Sequence, residues 1–431
     1  ARVRRPTARR SAPAMAAAHA LLSDRAQRLD HALDQALILL AFSLPVYRPW
    51  VSLGAPLFAL LWLARGDLGS RARPLARHLP TLAVLAFLGL NIASLLWSSH
   101  PAAGLDYLAK YRYLLLVPMV AVTVDATIRD RVLVAFEIGA CAATALSWAA
   151  VVGWIRTADA GPSNPAVTMS HLDLSMVLAA AAVVAVDRLS RAATTRSAVL
   201  HGAALAWLVS GLVVNIGRSG QLALVAGATV WAVFRFGRRS PRRLAAGIAA
   251  VWIASFALYV STPRLRGRVD AAWTEVRAAV TDERYATNQG MRIAGLRVGW
   301  DVFREHPIFG VGVGDTLPEF TRVLDDRHSE LAPVLDQYRR QHLHNQYLQI
   351  GVELGVVGLV ALLVLLASVI AQPPAVPPLD RALAAGLVTA FAFGFVGDPF
   401  LRKQMAVATF AVLVGAVTAI RADAADDPPA S

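Results

Sequence analysis

The chain has 431 residues, of which 56% are hydrophobic and only 16% are charged, and its mean hydropathy is +0.50. This balance argues against a water-soluble globule and is typical of a protein that crosses a membrane many times. The single cysteine, Cys141, excludes a disulfide framework and a thiolate metal site. The net charge of +13 would suit nucleic acid, but the arginines are spread between apolar stretches, so we predict no nucleic-acid partner.

Twelve apolar stretches are wide enough to cross a bilayer as helices. They cover residues 31–46, 50–64, 79–98, 111–125, 132–155, 171–187, 197–214, 219–234, 244–262, 346–371, 382–398 and 404–420. We therefore predict an all-α integral membrane protein with about twelve transmembrane helices, nine of them in residues 31–262 and three in residues 346–421. A polar segment of residues 263–345, predicted to contain amphipathic helices, separates these regions, and residues 1–30 and 422–431 are predicted to be tails.

The arginines outside these stretches gather in loops that follow an even number of crossings. They are Arg65, Arg71, Arg73 and Arg77, then Arg129 and Arg131, then Arg188, Arg191 and Arg196, then Arg235, Arg238, Arg239, Arg242 and Arg243. Arginine-rich loops stay on the cytoplasmic side of a membrane, so this pattern predicts that both termini are cytoplasmic. The polar segment 263–345 follows the ninth crossing and is therefore predicted to lie outside.

Arg218 breaks this rule, because it lies in a predicted outer loop of a few residues, Gly217-Arg218-Ser219-Gly220, at the start of a span. A helix N-terminus and a guanidinium together form an anion site, and the planar fork of arginine suits phosphate. The structural alternative is an interfacial arginine that reaches lipid phosphates.

Three other outward basic residues are candidates for substrate binding. Arg292 opens an amphipathic helix of the polar segment, where it could equally belong to the charged face of a surface helix. Lys110 and Arg112 precede the fourth span and, with Arg48, could form a basic rim. Anchoring to lipid headgroups explains these residues equally well.

The polar segment ends in His342-Leu343-His344-Asn345, where the next apolar run begins. Asn345 is a good helix cap, so His344 is predicted to lie at a helix start. The helix dipole and nearby arginines disfavour an imidazolium there, so this histidine should be neutral and able to accept a proton. The alternative is a capping or interfacial histidine. Further along the same helix, Glu353 is predicted to face a protein partner.

Two weaker patterns favour structural roles. The run Gly310–Asp315 looks like a nucleotide loop but lacks the final spacing and a strand-helix context, so we predict a tight turn. A metal site is not predicted, because the acidic and histidine residues that could build one have neither cage spacing nor compactness. Those residues are Asp325, Asp326, His328 and Glu330, and a solvated loop is the default for them.

Three groups of residues resemble the O-antigen ligase and polymerase superfamily. They are Gly217-Arg218-Ser219-Gly220; Arg292 with Trp300 and Glu305-His306-Pro307-Ile308-Phe309-Gly310-Val311-Gly312; and His344-Asn345-Gln346-Tyr347-Leu348 with Glu353-Leu354-Gly355-Val356-Val357-Gly358-Leu359. The resemblance covers residues 200–360, and about twelve helices with one large outer loop are also like the family. It implies a GT-C-like glycosyltransferase of the bacterial inner membrane, with its active site at the periplasmic face.

Members of this superfamily take a glycan from undecaprenyl pyrophosphate without a metal or another cofactor, and in the ligases the acceptor is the lipid A core oligosaccharide. Carried onto this chain, the resemblance implies that Arg218 and Arg292 are the essential arginines and His344 the essential histidine. The residues expected to bind substrate around this histidine are Arg218, Arg292, Lys110, Arg112, His342 and Asn345.

The predicted function is thus inverting transfer of O-antigen from its lipid carrier to lipid A core. The alternatives are an O-antigen polymerase with the same donor, a protein O-glycosylating transferase, and a flippase or transporter for lipid-linked glycans. A transporter would place its charged residues along a passage through the midplane, whereas here they gather at one face.

Overall fold

A computed structural model describes residues 12–66, 68–237, 240–336, 342–371 and 378–420. Within these ranges the chain forms α-helices and short 3-10 turns and no β-strand, so the prediction of an all-α protein is confirmed. The α-helices are α1 (Ala12–Val46), α2 (Arg48–Ala64), α3 (Leu68–Leu75), α4 (Leu79–Ala93), α5 (Pro101–Tyr111), α6 (Leu116–Thr123), α7 (Ala126–Val151), α8 (His171–Arg191), α9 (Thr195–Val214), α10 (Ser219–Phe236), α11 (Pro241–Ser261), α12 (Pro263–Thr281), α13 (Asn288–Glu305), α14 (Thr316–Arg327), α15 (Ala332–Leu335), α16 (Gln346–Ile370), α17 (Pro378–Gly397) and α18 (Gln404–Val417).

Seven helical segments of the described residues are long and apolar enough to cross a membrane. They are Arg25–Val46 in α1, Leu79–Leu96, α7, α9, α10, α11 and α16, and the bent pair α2 and α3 would be an eighth. These segments support the membrane class. The count of twelve crossings, the division into regions and the compartment of each loop stay predictions.

Ten of the twelve predicted crossings each fall on one continuous α-helix apart from their ends. Residues 346–371 fall on α16, which is interrupted at Gly355, and residues 111–125 are divided between elements. There α5 ends at Tyr111, a 3-10 turn follows, and the chain continues as the eight-residue α6. Pro118 has no N–H to donate, so a helix that continued from α5 would lose a hydrogen bond here. The structure therefore divides this predicted crossing between a 3-10 turn and a short α-helix, and its passage through the membrane stays a prediction.

The loops that follow the odd-numbered predicted crossings meet at one end of the helix bundle, here called the site end. The hydrogen bonds that join them are Arg48 to Gln404, Arg264 to Pro162, Arg268 to Asn215 and Arg292 to Gly397. At the opposite end, Trp231 donates to Asp187, and the backbone of Ile420 donates to that of Ala121. Residues far apart in the chain are thus gathered at the site end.

α16 is interrupted at Gly355, which has φ +64° and ψ −158°. A break leaves backbone groups without helical partners, and such groups are costly in apolar surroundings. Segment 307–312 supplies the partners: Val356 and Val357 donate to Pro307 and Ile308, while Val311 and Gly312 donate to Val352 and Glu353. All three glycines of the run Gly310–Asp315 have positive φ, which confirms a tight turn there.

A buried ion pair joins α16 to the segment between α17 and α18. Glu353 is fully buried and pairs with the guanidinium of Arg402, as predicted for a carboxylate that faces a protein partner. The same carboxylate accepts hydrogen bonds from Gln349 at 2.7 Å and from Thr316 at 3.0 Å. A buried pair of this kind specifies an arrangement more reliably than it stabilises the fold. It fixes the segment 398–404 relative to α16.

Replacing Gly355 with alanine should destabilise the protein. An L residue in this conformation is strained by about 1–3 kcal/mol, and its Cβ atom would overlap the carbonyl oxygen of Ile308. We expect G355A to lower the melting temperature of the purified protein by several degrees. G89A is the matched control, because a Cβ atom at Gly89 meets no other atom within 4 Å. Equal melting temperatures for G355A and the unchanged protein would contradict this account of the break.

Candidate active site

A cavity of about 400 Å³ lies at the site end. Arg218, Arg268, Arg292 and His171 line it, and none of the described residues in its lining is acidic. Arg218 and Arg292 were singled out from the sequence, and the structure brings them to this one cavity. We call it the arginine cavity.

Three helices begin at the arginine cavity. α8 begins at His171, α10 at Ser219 and α13 at Asn288, and all three residues are part of the lining. The first turn of a helix has N–H groups without helical partners and a partial positive charge. Side chains already cap α8 and α13, where Ser170, Thr287 and Glu275 accept from backbone N–H groups, so it is the uncapped start of α10 that adds to the positive potential of the arginines. The combination favours an anion with several oxygen atoms, such as a phosphate.

Arg218 occupies the N-cap position of α10, and no side chain caps this helix. The glycines on either side bring the loop against α8: a Cβ atom at Gly217 would overlap the carbonyl of His171, and one at Gly220 would overlap Ser175. Nη1 of Arg218 is buried and has no hydrogen-bond partner in the described part of the chain. Both this N–H group and the start of α10 are therefore available to a ligand.

Arg268 was not predicted from the sequence. Its Nη1 donates to the backbone carbonyl of Asn215 at 2.6 Å. Burial, together with the charges of Arg218 and Arg264, lowers the pKa of Arg268 to about 10. The positive charges of these arginines thus repel one another, and a bound anion would reduce that repulsion.

Arg292 lies in the first turns of α13, which Thr287 caps by accepting a hydrogen bond from the backbone N–H of Gly290. Its Nη1 donates to the carbonyl of Gly397 at 2.9 Å. Gly397 precedes Asp398, so this bond joins the arginine cavity to the next part of the site.

His344 is held by Asp398. Its Nδ1 lies 2.9 Å from Oδ1 of the carboxylate, which is fully buried. When Nδ1–H donates to the carboxylate, Nε2 is left as the atom that can accept a proton. His344 also has φ +51°, which is rare for a residue other than glycine and is typical of a strained functional position.

Asn345 fixes this arrangement from the following position. Its side chain caps α16 by accepting from the backbone N–H of Leu348 at 2.9 Å. Its amide also donates to the carbonyl of Val396 at 3.1 Å. Asn345 thus ties the start of α16 to the end of α17, next to His344.

The charge of Asp398 is balanced by Lys403, whose ammonium contacts the carboxylate. Burial opposes ionisation of Asp398, but the hydrogen bond from His344 and the charge of Lys403 outweigh it and hold its pKa well below the usual range. Nδ1 of His342 lies 3.6 Å from the same carboxylate, and burial lowers the pKa of His342 to about 3. His342 is therefore neutral near neutral pH.

His342, His344 and Asp398 are also a group that could hold a metal ion, since their ligand atoms lie within 4.8 Å of one another. The ammonium of Lys403 already contacts this carboxylate, and its charge would oppose a cation. The predicted absence of a metal stays a prediction. Elsewhere, the prediction of a solvated loop is wrong, because Asp325 and Asp326 lie in α14 and Glu330 in a 3-10 turn. His328 is buried and hydrogen-bonds to Asp301 at 2.8 Å.

Lys110 and Arg112 do not line the arginine cavity. The ammonium of Lys110 lies 5.3 Å from the ring centre of Tyr107, and the guanidinium of Arg112 lies 4.7 Å from that of Tyr113. Both residues lie at the end of α5 and in the turn that follows it. Their prediction as substrate-binding residues is untested by this geometry.

Sequence reasoning missed His171, Arg268, Asp398 and Lys403. One signal was available for the last of these, because only two of the 42 basic residues are lysines, namely Lys110 and Lys403. Lys403 also falls in a short predicted outer loop, where the positive-inside pattern disfavours a cation. The pairing of Asp398 with His344 had no such signal.

Residues 203–363 match the protein-family model described as O-antigen ligase. A search of curated proteins found no match. The matched segment contains Arg218, Arg292 and His344, whereas Asp398 and Lys403 lie beyond it.

Replacing Asp398 with asparagine should leave the partly buried ammonium of Lys403 without a carboxylate. Removal of one partner of a buried pair typically costs about 3–5 kcal/mol, so D398N should unfold at lower denaturant concentration. Since the folded-state pKa of Asp398 is depressed, its stabilising contribution is present above the unfolded pKa and is lost below about pH 4. The deficit of D398N should therefore shrink in acid.

The double variant D398N/K403Q is the control, because it removes both charges and should recover most of the lost stability. Denaturation in detergent, followed by tryptophan fluorescence at several pH values, measures all three proteins. A double variant as unstable as D398N would show that the Asp398–Lys403 charge balance is not what holds the segment.

Proposed function

This chain belongs to the O-antigen ligase superfamily, and from that premise we propose that it is an inverting glycosyltransferase that transfers O-antigen from undecaprenyl pyrophosphate to a sugar hydroxyl of lipid A core. The single observation that supports this function best is the arginine cavity with His344 beside it. Arg218 and Arg292 line the cavity, and the Gly397 carbonyl that binds Arg292 adjoins the aspartate that binds His344.

The donor diphosphate would occupy the arginine cavity. Arg218 and Arg292 would each offer N–H groups to its oxygen atoms, and the first turn of α10 would add backbone donors. As the bond between the anomeric carbon and the phosphate oxygen breaks, negative charge grows on the diphosphate. Donors that are already in place stabilise that charge, and one such donor is typically worth about 3–4 kcal/mol.

His344 would act as the general base. Nε2 takes the proton of the acceptor hydroxyl while the hydroxyl oxygen bonds to the anomeric carbon, and the electron pair of the broken bond leaves with the carrier diphosphate. Asp398 would hold the ring through Nδ1 and stabilise the imidazolium that forms. General-base help of this kind contributes about a hundredfold to ten-thousandfold in rate. A single displacement inverts the anomeric centre.

The location of the site favours a lipid-linked substrate in the bacterial inner membrane. The residues concerned lie at one end of a bundle of membrane-crossing helices, where the arginine pattern predicts the periplasmic face. A lipid carrier places its diphosphate at this boundary. An O-antigen polymerase would use the same donor chemistry and differs only in its acceptor.

Arg218→Lys and His344→Ala should fail in different ways. Lysine keeps the charge of Arg218 but loses its two parallel donors, so R218K should weaken carrier binding and lower kcat/KM by about a hundredfold or more. H344A should lower kcat by about a hundredfold or more and still bind undecaprenyl pyrophosphate. Binding and single-turnover transfer by the purified protein in nanodiscs measure both effects.

R297K is the matched control for these variants, because Arg297 is an exposed arginine of the same helix as Arg292. It should transfer glycan at the normal rate. Near-normal transfer by R218K would remove Arg218 from the phosphate role, and near-normal transfer by H344A would remove the base.

Deletion of the gene should distinguish the candidate functions in cells. For a ligase we expect rough lipopolysaccharide together with long carrier-linked chains on the periplasmic side, and restoration by R297K but not by H344A. A single repeat unit on the core would indicate a polymerase instead. Carrier-linked glycan trapped in the cytoplasmic leaflet would indicate a flippase. Gel profiles of lipopolysaccharide and mass spectrometry of carrier-linked glycans give the readout.

A further inference from the structure

A second group of basic side chains lies at the site end, outside the lining of the arginine cavity. It consists of Arg48 at the start of α2, Lys110 at the end of α5 and Arg112 in the turn after it, and we call it the second basic cluster. All three side chains are exposed. Within the described residues, none of the three makes an ion pair with a carboxylate.

Within the second basic cluster, the charge of Arg48 acts on Lys110. Burial lowers the pKa of Lys110, the neighbouring cations Arg402 and Arg48 lower it further, and Asp106 only partly opposes them. Arg402 is itself neutralised by Glu353. Asp106 and Asp173 offset only part of the cluster's positive charge, so an anion bound there would be stabilised.

The second basic cluster is joined to His344 through the segment 398–404. Near one end of this segment, Asp398 binds His344. At the other end, Gln404 accepts a hydrogen bond from Nε of Arg48 at 3.0 Å and donates to Ser52 at 2.7 Å.

Lys110 is joined to the same segment through an aromatic ring. The ammonium of Lys110 and the guanidinium of Arg402 both lie over Tyr107, with Arg402 at 3.9 Å from the ring centre. In addition, the buried carboxylate of Asp173 interacts electrostatically with both Lys403 and Arg48. One short segment therefore carries contacts to the catalytic histidine and to the second basic cluster.

We propose that the second basic cluster binds phosphate groups of the acceptor glycolipid. Identifying this ligand as the acceptor rests on the proposed function. The acceptor hydroxyl has to reach His344 while the donor diphosphate fills the arginine cavity, so anionic groups of the acceptor need a separate site. The cluster provides cations without ion-pair partners among the described residues, at the start of α2 and at the end of α5, outside the cavity lining. If the acceptor is lipid A core, as the proposed function has it, phosphate groups on that glycolipid would match this charge.

The test is equilibrium binding of lipid A core to the full-length protein in nanodiscs of zwitterionic lipid, without donor. Phosphorylated acceptor is compared with acceptor dephosphorylated by hydrogen fluoride. We expect the unchanged protein to bind the phosphorylated form at least tenfold more tightly, and R48Q/K110Q to lose this preference. R297Q, which changes an exposed arginine outside the cluster, should keep it.

Transfer kinetics give a second readout. K110Q should raise KM for the acceptor and leave KM for the donor and kcat at saturating acceptor unchanged, whereas Arg48 is kept in this measurement because its bond to Gln404 holds the segment 398–404. If the double variant of the binding test does not purify as a single species, K110Q is used there as well, with a smaller expected loss.

Equal binding of the two acceptor forms, or unchanged preference in the variants, would overturn the assignment. It would also be overturned if the variants lost binding only in nanodiscs that contain anionic phospholipid, since the cluster would then serve bulk lipid headgroups. Because no donor is present, this result is separate from the proposed function. Phosphate-dependent binding without glycan transfer would refute the transferase and leave an anionic glycolipid site.

Discussion

The buried carboxylate of Asp398 is the interaction on which the site depends. A charge in such a place costs several kcal/mol unless it is paired and hydrogen-bonded. Lys403 supplies the opposite charge and His344 the hydrogen bond, while the backbone of the preceding residue accepts from Arg292. The orientation of the histidine and the position of Arg292 in the arginine cavity therefore depend on one short segment, and a shift of that segment would move both.

The arginine cavity holds its cations without neutralising them. Arg268 and Arg292 are bonded to backbone carbonyls, of Asn215 and Gly397, and not to carboxylates. A carbonyl dipole fixes the direction of a guanidinium but leaves its full charge available to a ligand. A carboxylate in the same place would compete with the substrate. Under the proposed function, donors fixed in this way need no rearrangement as charge develops on the diphosphate.

The sequence predicts the parts of this site that violate a pattern. Arg218 and Arg292 stand out because the positive-inside rule disfavours them where topology puts them, and His344 stands out because it ends a polar segment at a helix start. Asp398 breaks no such sequence pattern, because an acidic residue that follows an apolar run is common at the end of a helix. Its pairing depends on how two loops meet in space, and neither loop carries information about the other.

The fold likewise has some features that the sequence predicts and others that it does not. Hydrophobic length locates eleven predicted crossings on helices, because burial in lipid requires an apolar helix of that length. It does not reveal the break at Gly355, since the apolar run passes through the glycine without interruption. The break exists because segment 307–312 replaces the missing hydrogen bonds, and that exchange is tertiary.

The pair of Glu353 and Arg402 shows why a costly buried interaction is retained close to this site. An apolar pair of similar volume could pack at least as stably. An apolar pair would not, however, fix the orientation of its side chains. The guanidinium of Arg402 is oriented by the carboxylate of Glu353 and also stacks on Tyr107. Because Arg402 precedes Lys403, this directed contact sets where the ammonium meets Asp398. The pair thus holds Lys403 and Asp398, and through them His344, in a fixed position relative to α16. This positional role explains the retention of the pair better than a gain in stability does.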